Sequence, residues 1–148
     1  MQFFTLLGQP PFTVGIAAVV LGYGTALNKP LYEIAGIIAL VTITLSSVLK
    51  LLLRRARPSS DYARDMLFKT FSFPSGHAAG SLVSFAMAAL VIGNKWPDWI
   101  AVAWTITLVA CLLIGISRVY LRAHYASDVI GGWIVGGLGL GLIIVEFL

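Results

Sequence analysis

The sequence predicts an all-α, polytopic membrane bundle of five to six helices. Three observations carry this prediction. Of the 148 residues, 59% are hydrophobic and only 11% are charged, against roughly a quarter charged in a soluble domain. Apolar residues gather in five runs, at 12–27, 31–53, 77–92, 99–116 and 129–148, each close to the ~20 residues a helix needs to cross a bilayer. Short segments rich in Pro, Gly, Asn and charge, the composition of turns, separate the runs.

Residues 1–8 are apolar but too short to span, and Gln9-Pro10-Pro11 cuts them off from the first run. They are expected to lie in the interface. Without a basic leading segment or a small-residue cleavage site they do not read as a signal peptide. The first and third runs are short for a bilayer, so their helices tilt little or extend into the flanks. Asn28-Lys29-Pro30 and Gly93-Asn94-Lys95-Trp96-Pro97-Asp98 turn the chain, and residues 57–73 form the longest polar stretch, which cannot cross. The last run carries Gly132-x-x-x-Gly136 and Gly137-x-x-x-Gly141, a spacing that lets membrane helices pack closely. Cys111 is the only cysteine; it reads as a packing residue with no disulfide partner. Five or six such helices use almost every residue, so residues 1–148 are read as a single membrane-embedded domain.

Counting crossings places the unusual polar residues. No span separates Arg57 from His77, so both lie on one side of the membrane. Two spans separate His77 from Arg118, which returns the chain to that side, in the turn that also holds His124 and Asp128. The polar residues therefore share one face whichever way the chain is inserted.

Several of these residues are costly where they stand. Lys50 lies within Ser-Val-Leu-Lys-Leu-Leu-Leu. An intramembrane lysine costs about 2.5–3.5 kcal/mol on insertion, which marks a functional site unless the side chain snorkels to the interface. Arg57 follows seven residues later. If the helix continues, the two cations share a face about 10 Å apart along the axis and converge on one anion. Pro74-Ser75-Gly76-His77 opens a run of small residues. Pro and Ser are ordinary capping residues, but backbone N–H groups at a helix start also bind phosphate, with Gly76 allowing close approach and His77 within reach. His124 and Asp128, four residues apart, are expected to be neighbours on a helix face. The carboxylate then holds one imidazole nitrogen protonated and leaves the other free to attack. Metal binding is the rival reading. It is the weaker one, because Lys50, Arg57 and Arg118 repel a divalent ion. Arg54, Arg55, Arg64 and Arg122 read as anchors to anionic headgroups. A nucleic-acid partner is not expected, since no polar domain presents a basic face.

Lys50-x6-Arg57-Pro58, Pro74-Ser75-Gly76-His77 and Ser117-Arg118-x5-His124-x3-Asp128 together resemble the three-part signature of the type 2 phosphatidic acid phosphatase superfamily. All three parts match without a substitution and in order. The resemblance implies an integral membrane lipid phosphatase that uses no metal and no cofactor. It implies that His124 attacks phosphorus to form a phosphohistidine, that Asp128 orients it, and that His77 protonates the leaving oxygen and then activates water. Lys50, Arg57 and Arg118, with Ser75 and the backbone of Gly76, are implied to hold the phosphoryl oxygens. Many members carry three spans before the first part; here two precede Lys50, with residues 1–8 in place of the third.

The segment 59–73 is too short for a large lid and is expected to hold Phe68, Phe71 and Phe73 at the interface. A fairly open site reached sideways from the bilayer suits a lipid with a small headgroup. Polyprenyl diphosphate is the favoured substrate, ahead of phosphatidic acid and phosphatidylglycerophosphate; a non-hydrolytic lipid-phosphate binder is the alternative outside enzymes. Orientation divides the indications. Seven Lys and Arg besides Lys50 lie on the motif face against Lys29 and Lys95 on the other, which the positive-inside rule reads as cytoplasmic. The resemblance implies the external face of the cell membrane, and that is the expectation adopted.

Overall fold

The computed structural model describes residues 1–60, 62 and 70–148; Arg64, Phe68 and Lys69 fall outside them. Six α-helices stand among the described residues: α1 Gln2–Leu7, α2 Pro10–Ala26, α3 Pro30–Leu53, α4 Gly76–Lys95, α5 Ile100–Tyr120 and α6 Ala126–Phe147. A 3-10 turn at Pro97–Trp99 leads into α5. The helices α3, α4, α5 with its leading turn, and α6 are long and apolar enough to cross a membrane; α2 is shorter. Pro10 and Pro30 stand at the first positions of α2 and α3, where a missing N–H costs nothing and the fixed φ suits a helix. The all-helical bundle predicted from composition is the fold observed.

Residues 1–8 differ from the expectation. They form α1, and it packs against α5 rather than lying free in the interface. Thr5 is buried. At Gly8 a Cβ would stand 2.7 Å from Ile114 Cγ2 and 3.3 Å from the His77 Cβ, so only glycine lets the end of α1 press between α4 and α5. Gln9 is extended, which turns the chain from α1 into α2.

The helix α3 also ends sooner than the motif spacing suggested. Its C-cap is Arg54, in the left-handed region at φ 48°, so Lys50 and Arg57 do not share a helical face. The reason lies in where the chain goes next. Arg55 and Arg57 reach across to the start of α6, and the Ser72 N–H donates to the Arg55 carbonyl at 2.8 Å. The Ser72 hydroxyl donates to the Ala56 carbonyl at 2.9 Å. Phe73, expected at the interface, instead lays its ring on Gly131 of α6.

The central element is α4. It is 56% buried over its most apolar window, against 22%, 28% and 39% for the other three spans, and it touches α2, α3, α5 and α6. Its inward positions are small, including Ala78, Ala79, Gly80, Ser81, Ala86 and Ala89. Lipid tails are as apolar as leucine, so helices in a bilayer associate through close backbone approach rather than by hiding apolar surface from water. Gly132 and Gly136 of α6 complete this contact, whereas Gly137 and Gly141 have nothing within 4 Å. The first glycine pair thus packs within the chain and the second does not. Away from the motif residues, Ala17, Val20, Tyr32, Ala35, Ala39, Val83, Met87 and Ile143 form the apolar core. Cys111 is buried and free, as a packing residue. Large side chains such as Val19, Leu52 and Leu138 point outward to lipid.

Gly136 and Gly137 offer an internally controlled test. A Cβ at Gly136 would meet the Ala79 carbonyl oxygen at 2.7 Å, and at Gly137 it would meet open space. Both alanine substitutions gain the same helix propensity. Thermal unfolding in detergent should show Gly136→Ala destabilised relative to Gly137→Ala, by about 1–3 kcal/mol for overpacking.

Candidate active site

The C-terminal ends of α3 and α5 meet the N-terminal ends of α4 and α6, as the count of crossings required. Lys50 sits one turn from the end of α3, with its Nζ 3.4 Å and Cε 3.5 Å from where a Cβ on Gly76 would lie. Gly76 thus leaves room for the lysine head over the start of α4. Ser75 caps that helix: its hydroxyl accepts the Ala78 N–H at 3.5 Å, and its own N–H donates to the Asp128 carbonyl at 2.8 Å. The first N–H groups of α4 lack intrahelical acceptors and carry the positive end of the helix dipole.

Arg118 is wholly buried near the end of α5. Its Nη1 donates to Thr5 Oγ1 and to the Tyr62 hydroxyl, each at 3.2 Å. The proton order beyond Thr5 follows from the acceptors. Ser117 Oγ donates to the Ile114 carbonyl at 2.7 Å, so Thr5 must donate to Ser117 Oγ across their 3.1 Å contact. Arg118 Nε and Nη2 have no hydrogen-bond partner among the described residues. A buried guanidinium with two unpaired donor groups is costly, and an anion placed against them would satisfy both.

His124 follows α5 in the turn before α6. Arg57 Nη1 donates to the Ala123 carbonyl at 2.8 Å and faces His124 Nε2 at 3.2 Å. Thr70 holds the rest of that guanidinium, accepting from Nε at 2.7 Å and from Nη2 at 3.1 Å. Arginine only donates, so Nε2 must carry the lone pair and Nδ1 the proton. Nδ1 faces Asp128 Oδ2 at 3.5 Å, an ion-pair distance longer than a well-formed hydrogen bond. Burial pulls the His124 imidazole down from its ordinary 6.5 to about 4. Asp128 opposes that shift, and Arg57, Lys50 and Arg118 add to it. The ring is neutral at neutral pH. Burial and the Arg118 charge also lower the Arg57 guanidinium, which stays charged all the same.

The helix-face spacing inferred for His124 and Asp128 is not how they meet. His124 precedes α6, Tyr125 is its N-cap, and Asp128 lies in its first turn. Asp128 Oδ2 accepts the Tyr125 N–H at 2.9 Å, and this capping turn, not a helical i,i+4 pair, brings the carboxylate under the imidazole. Asp128 Oδ1 accepts from Arg55 Nη1 at 2.8 Å. Arg55 is therefore part of the site and not a free membrane anchor. His77 lies in the first turn of α4, and its buried Nε2 has no hydrogen-bond partner among the described residues. Among the described residues no group of three or more His, Cys, Asp and Glu converges.

All eight residues singled out in the sequence stand at this end of the bundle. Sequence reasoning missed Thr5, Arg55 and Tyr62. Thr5 had one signal, a lone hydroxyl among Phe3, Phe4, Leu6 and Leu7; Arg55 was hidden within a basic cluster.

The profile of the PAP2 superfamily matches residues 31–147. The chain is 31% identical over 143 residues to "Phosphatidylglycerophosphatase B" of Bacillus subtilis, covering 92% of this chain and 68% of that protein. It is 31% identical to "Undecaprenyl-diphosphatase" of Sulfolobus acidocaldarius over 65% of this chain and 45% of the relative. The crystal structure of a transmembrane PAP2-type phosphatidylglycerolphosphate phosphatase from Bacillus subtilis superposes with a TM-score of 0.79 at 30% identity, covering 97% of this chain and 73% of that one. The chain is thus a multi-pass membrane protein, and it spans less than half the length of the second relative.

Thr5→Val removes the oxygen that accepts from Arg118 while keeping the shape of the side chain. It should weaken binding of inorganic phosphate and lower stability by about 1–3 kcal/mol, the cost of leaving a buried donor unpaired. Thr5→Ser, which keeps the hydroxyl, should do neither. Calorimetric titration and thermal unfolding in detergent read the two effects.

Proposed function

The chain belongs to the PAP2 superfamily, and we propose that it releases phosphate from a membrane lipid through a phosphohistidine on His124. The observation that carries this reading is the pair of neighbours on the His124 ring: a guanidinium at Nε2 and a carboxylate at Nδ1. That pairing favours the tautomer a nucleophile needs.

In the proposed reaction the phosphoryl group enters between Lys50, Arg57 and Arg118. Arg57 turns from Nε2 to a phosphoryl oxygen, and the unpartnered donors of Arg118 take up another. Ser75 and the backbone N–H of Gly76 complete the cradle. The Nε2 lone pair attacks phosphorus, and an N–P bond forms as the bond from phosphorus to the lipid oxygen breaks. His77 gives that oxygen its proton. The imidazolium left on His124 keeps its Nδ1 proton toward Asp128. Water then attacks phosphorus, passes a proton to the now neutral His77, and the N–P bond breaks to free phosphate. The cations neutralise charge that develops on the equatorial oxygens, the largest source of acceleration in such sites. No metal ion enters the scheme.

Polyprenyl diphosphate is the proposed substrate. Phosphatidylglycerophosphate is the second reading, favoured by the relative matched over 92% of this chain. The site is proposed to face outward from the cell membrane.

Purified protein should release phosphate from one of these lipids at a rate that chelator leaves unchanged and vanadate inhibits. Loss of activity on adding chelator would argue for a metal. His124→Ala should reduce release to background, and a variant that still turns over would sink the phosphohistidine. The sign of the pH dependence follows from the depressed His124: the free enzyme keeps a neutral nucleophile down to about pH 4. The acid limb of kcat/KM should therefore lie near 4, well below the ordinary imidazole range.

A further inference from the structure

Arg55 stands at one of the unspecified positions of Lys50-x6-Arg57-Pro58, yet its side chain makes the shortest ion pair at the site among the described residues. Nη1 donates to Asp128 Oδ1 at 2.8 Å and to Ser127 Oγ at 2.8 Å. The guanidinium carbon lies 4.5 Å from the centre of the Tyr125 ring. Asp128 is wholly buried and the Arg55 side chain is 41% exposed, so the pair reaches from solvent into the site. The two carboxylate oxygens have separate partners. Oδ2 accepts the Tyr125 N–H and faces His124, while Oδ1 is held by Arg55 alone among the hydrogen bonds of the described residues.

We infer that Arg55 is a positioning residue, which fixes the rotation of the Asp128 carboxylate and thereby the orientation of the His124 ring. This rests on the phosphohistidine reading. A carboxylate turns easily about its last torsion, and with Oδ1 released the Tyr125 N–H alone holds Oδ2, one bond that fixes its position but not the plane it presents to Nδ1. The backbone of Arg55 reinforces the geometry, because its carbonyl accepts from the Ser72 N–H and tethers the segment that leads into Ser75 and His77. One residue thus joins the end of α3, the approach to α4 and the first turn of α6. Its Nη1 is directed to protein oxygens rather than to the place of the anion, so its effect falls on turnover.

Kinetics of four variants test this in the full-length protein, on whichever lipid phosphate it hydrolyses. Arg55→Gln should lower kcat by about 10- to 100-fold, the usual loss when a supporting partner is removed, with KM little changed. Arg55→Lys keeps a charge that reaches one oxygen and should recover most of the rate. In an Asp128→Asn background, Arg55→Gln should cost almost nothing further, since residues acting through one another are not additive. Helical circular dichroism and thermal unfolding of Arg55→Gln confirm that the protein compared is folded.

Three outcomes overturn the inference: wild-type kcat in Arg55→Gln, a rise in KM alone, or the same fold-loss in the Asp128→Asn background as in the wild type. A rise in KM alone would assign Arg55 to the lipid headgroup instead. His124→Ala keeps the two readings apart. If it is inactive while Arg55→Gln turns over normally, only the role of Arg55 fails; if it retains activity, the phosphohistidine fails first.

Discussion

A guanidinium sealed inside a membrane protein needs partners, and Arg118 has too few. Its Nη1 is satisfied by Thr5 and Tyr62, while Nε and Nη2 meet no acceptor among the described residues. The rest of the site is arranged around that shortage. The chain from Arg118 through Thr5 and Ser117 to the Ile114 carbonyl gives the buried cation one fixed edge. The short helix α1 exists where it does because Gly8 lets it reach that edge. Lys50 and Arg57 add two more charges around His124, against one nearby carboxylate. An anion relieves this imbalance, and a phosphoryl group gaining charge in a transition state relieves it more than a resting one.

The small residues of α4 serve this arrangement as well as the packing of the bundle. Gly132 of α6 lies so close that a Cβ there would stand 2.5 Å from the Ser75 carbonyl oxygen. That proximity allows the Ser75 N–H to bond the Asp128 carbonyl, so the start of α4 and the start of α6 are joined by backbone. The start of α4 and the turn holding His124 are therefore held as one piece. In a soluble enzyme a hydrophobic core would enforce that rigidity; in lipid it comes from glycine and alanine spacing.

The sequence made the spans and the shared face legible because apolar runs are long, charges are few, and crossing parity allows no alternative. It also brought the right residues together for reasons that were partly wrong. Lys50 and Arg57 were joined by helical spacing, yet α3 stops at Leu53 and Arg57 arrives through the irregular segment that follows. His124 and Asp128 were joined by the same spacing, yet they meet across an N-cap turn. An interval of four or seven residues fits a helix, and a folded-back turn meets it as well. What escaped were groups whose role depends on a distant partner. Arg55 has the same composition signature as an anchor, and Thr5 resembles any threonine in an apolar helix. Only the tertiary contact distinguishes them.

The charge count across the membrane changes meaning in the same way. Seven cations on the motif face against two on the other is a cytoplasmic signature only if all seven address headgroups. Arg118 is wholly buried, Arg57 is held by Thr70, Ala123 and His124, and Arg55 is fastened to Asp128. Four remain, Arg54, Arg64, Lys69 and Arg122, against Lys29 and Lys95. On the opposite face, the Lys95 ammonium bonds the Tyr23 hydroxyl and lies over the Trp96 ring, the amphipathic setting of a membrane interface. Cations fastened to protein groups raise the positive count of a face without addressing headgroups, so insertion rules that count every arginine equally read this internal charge as topology.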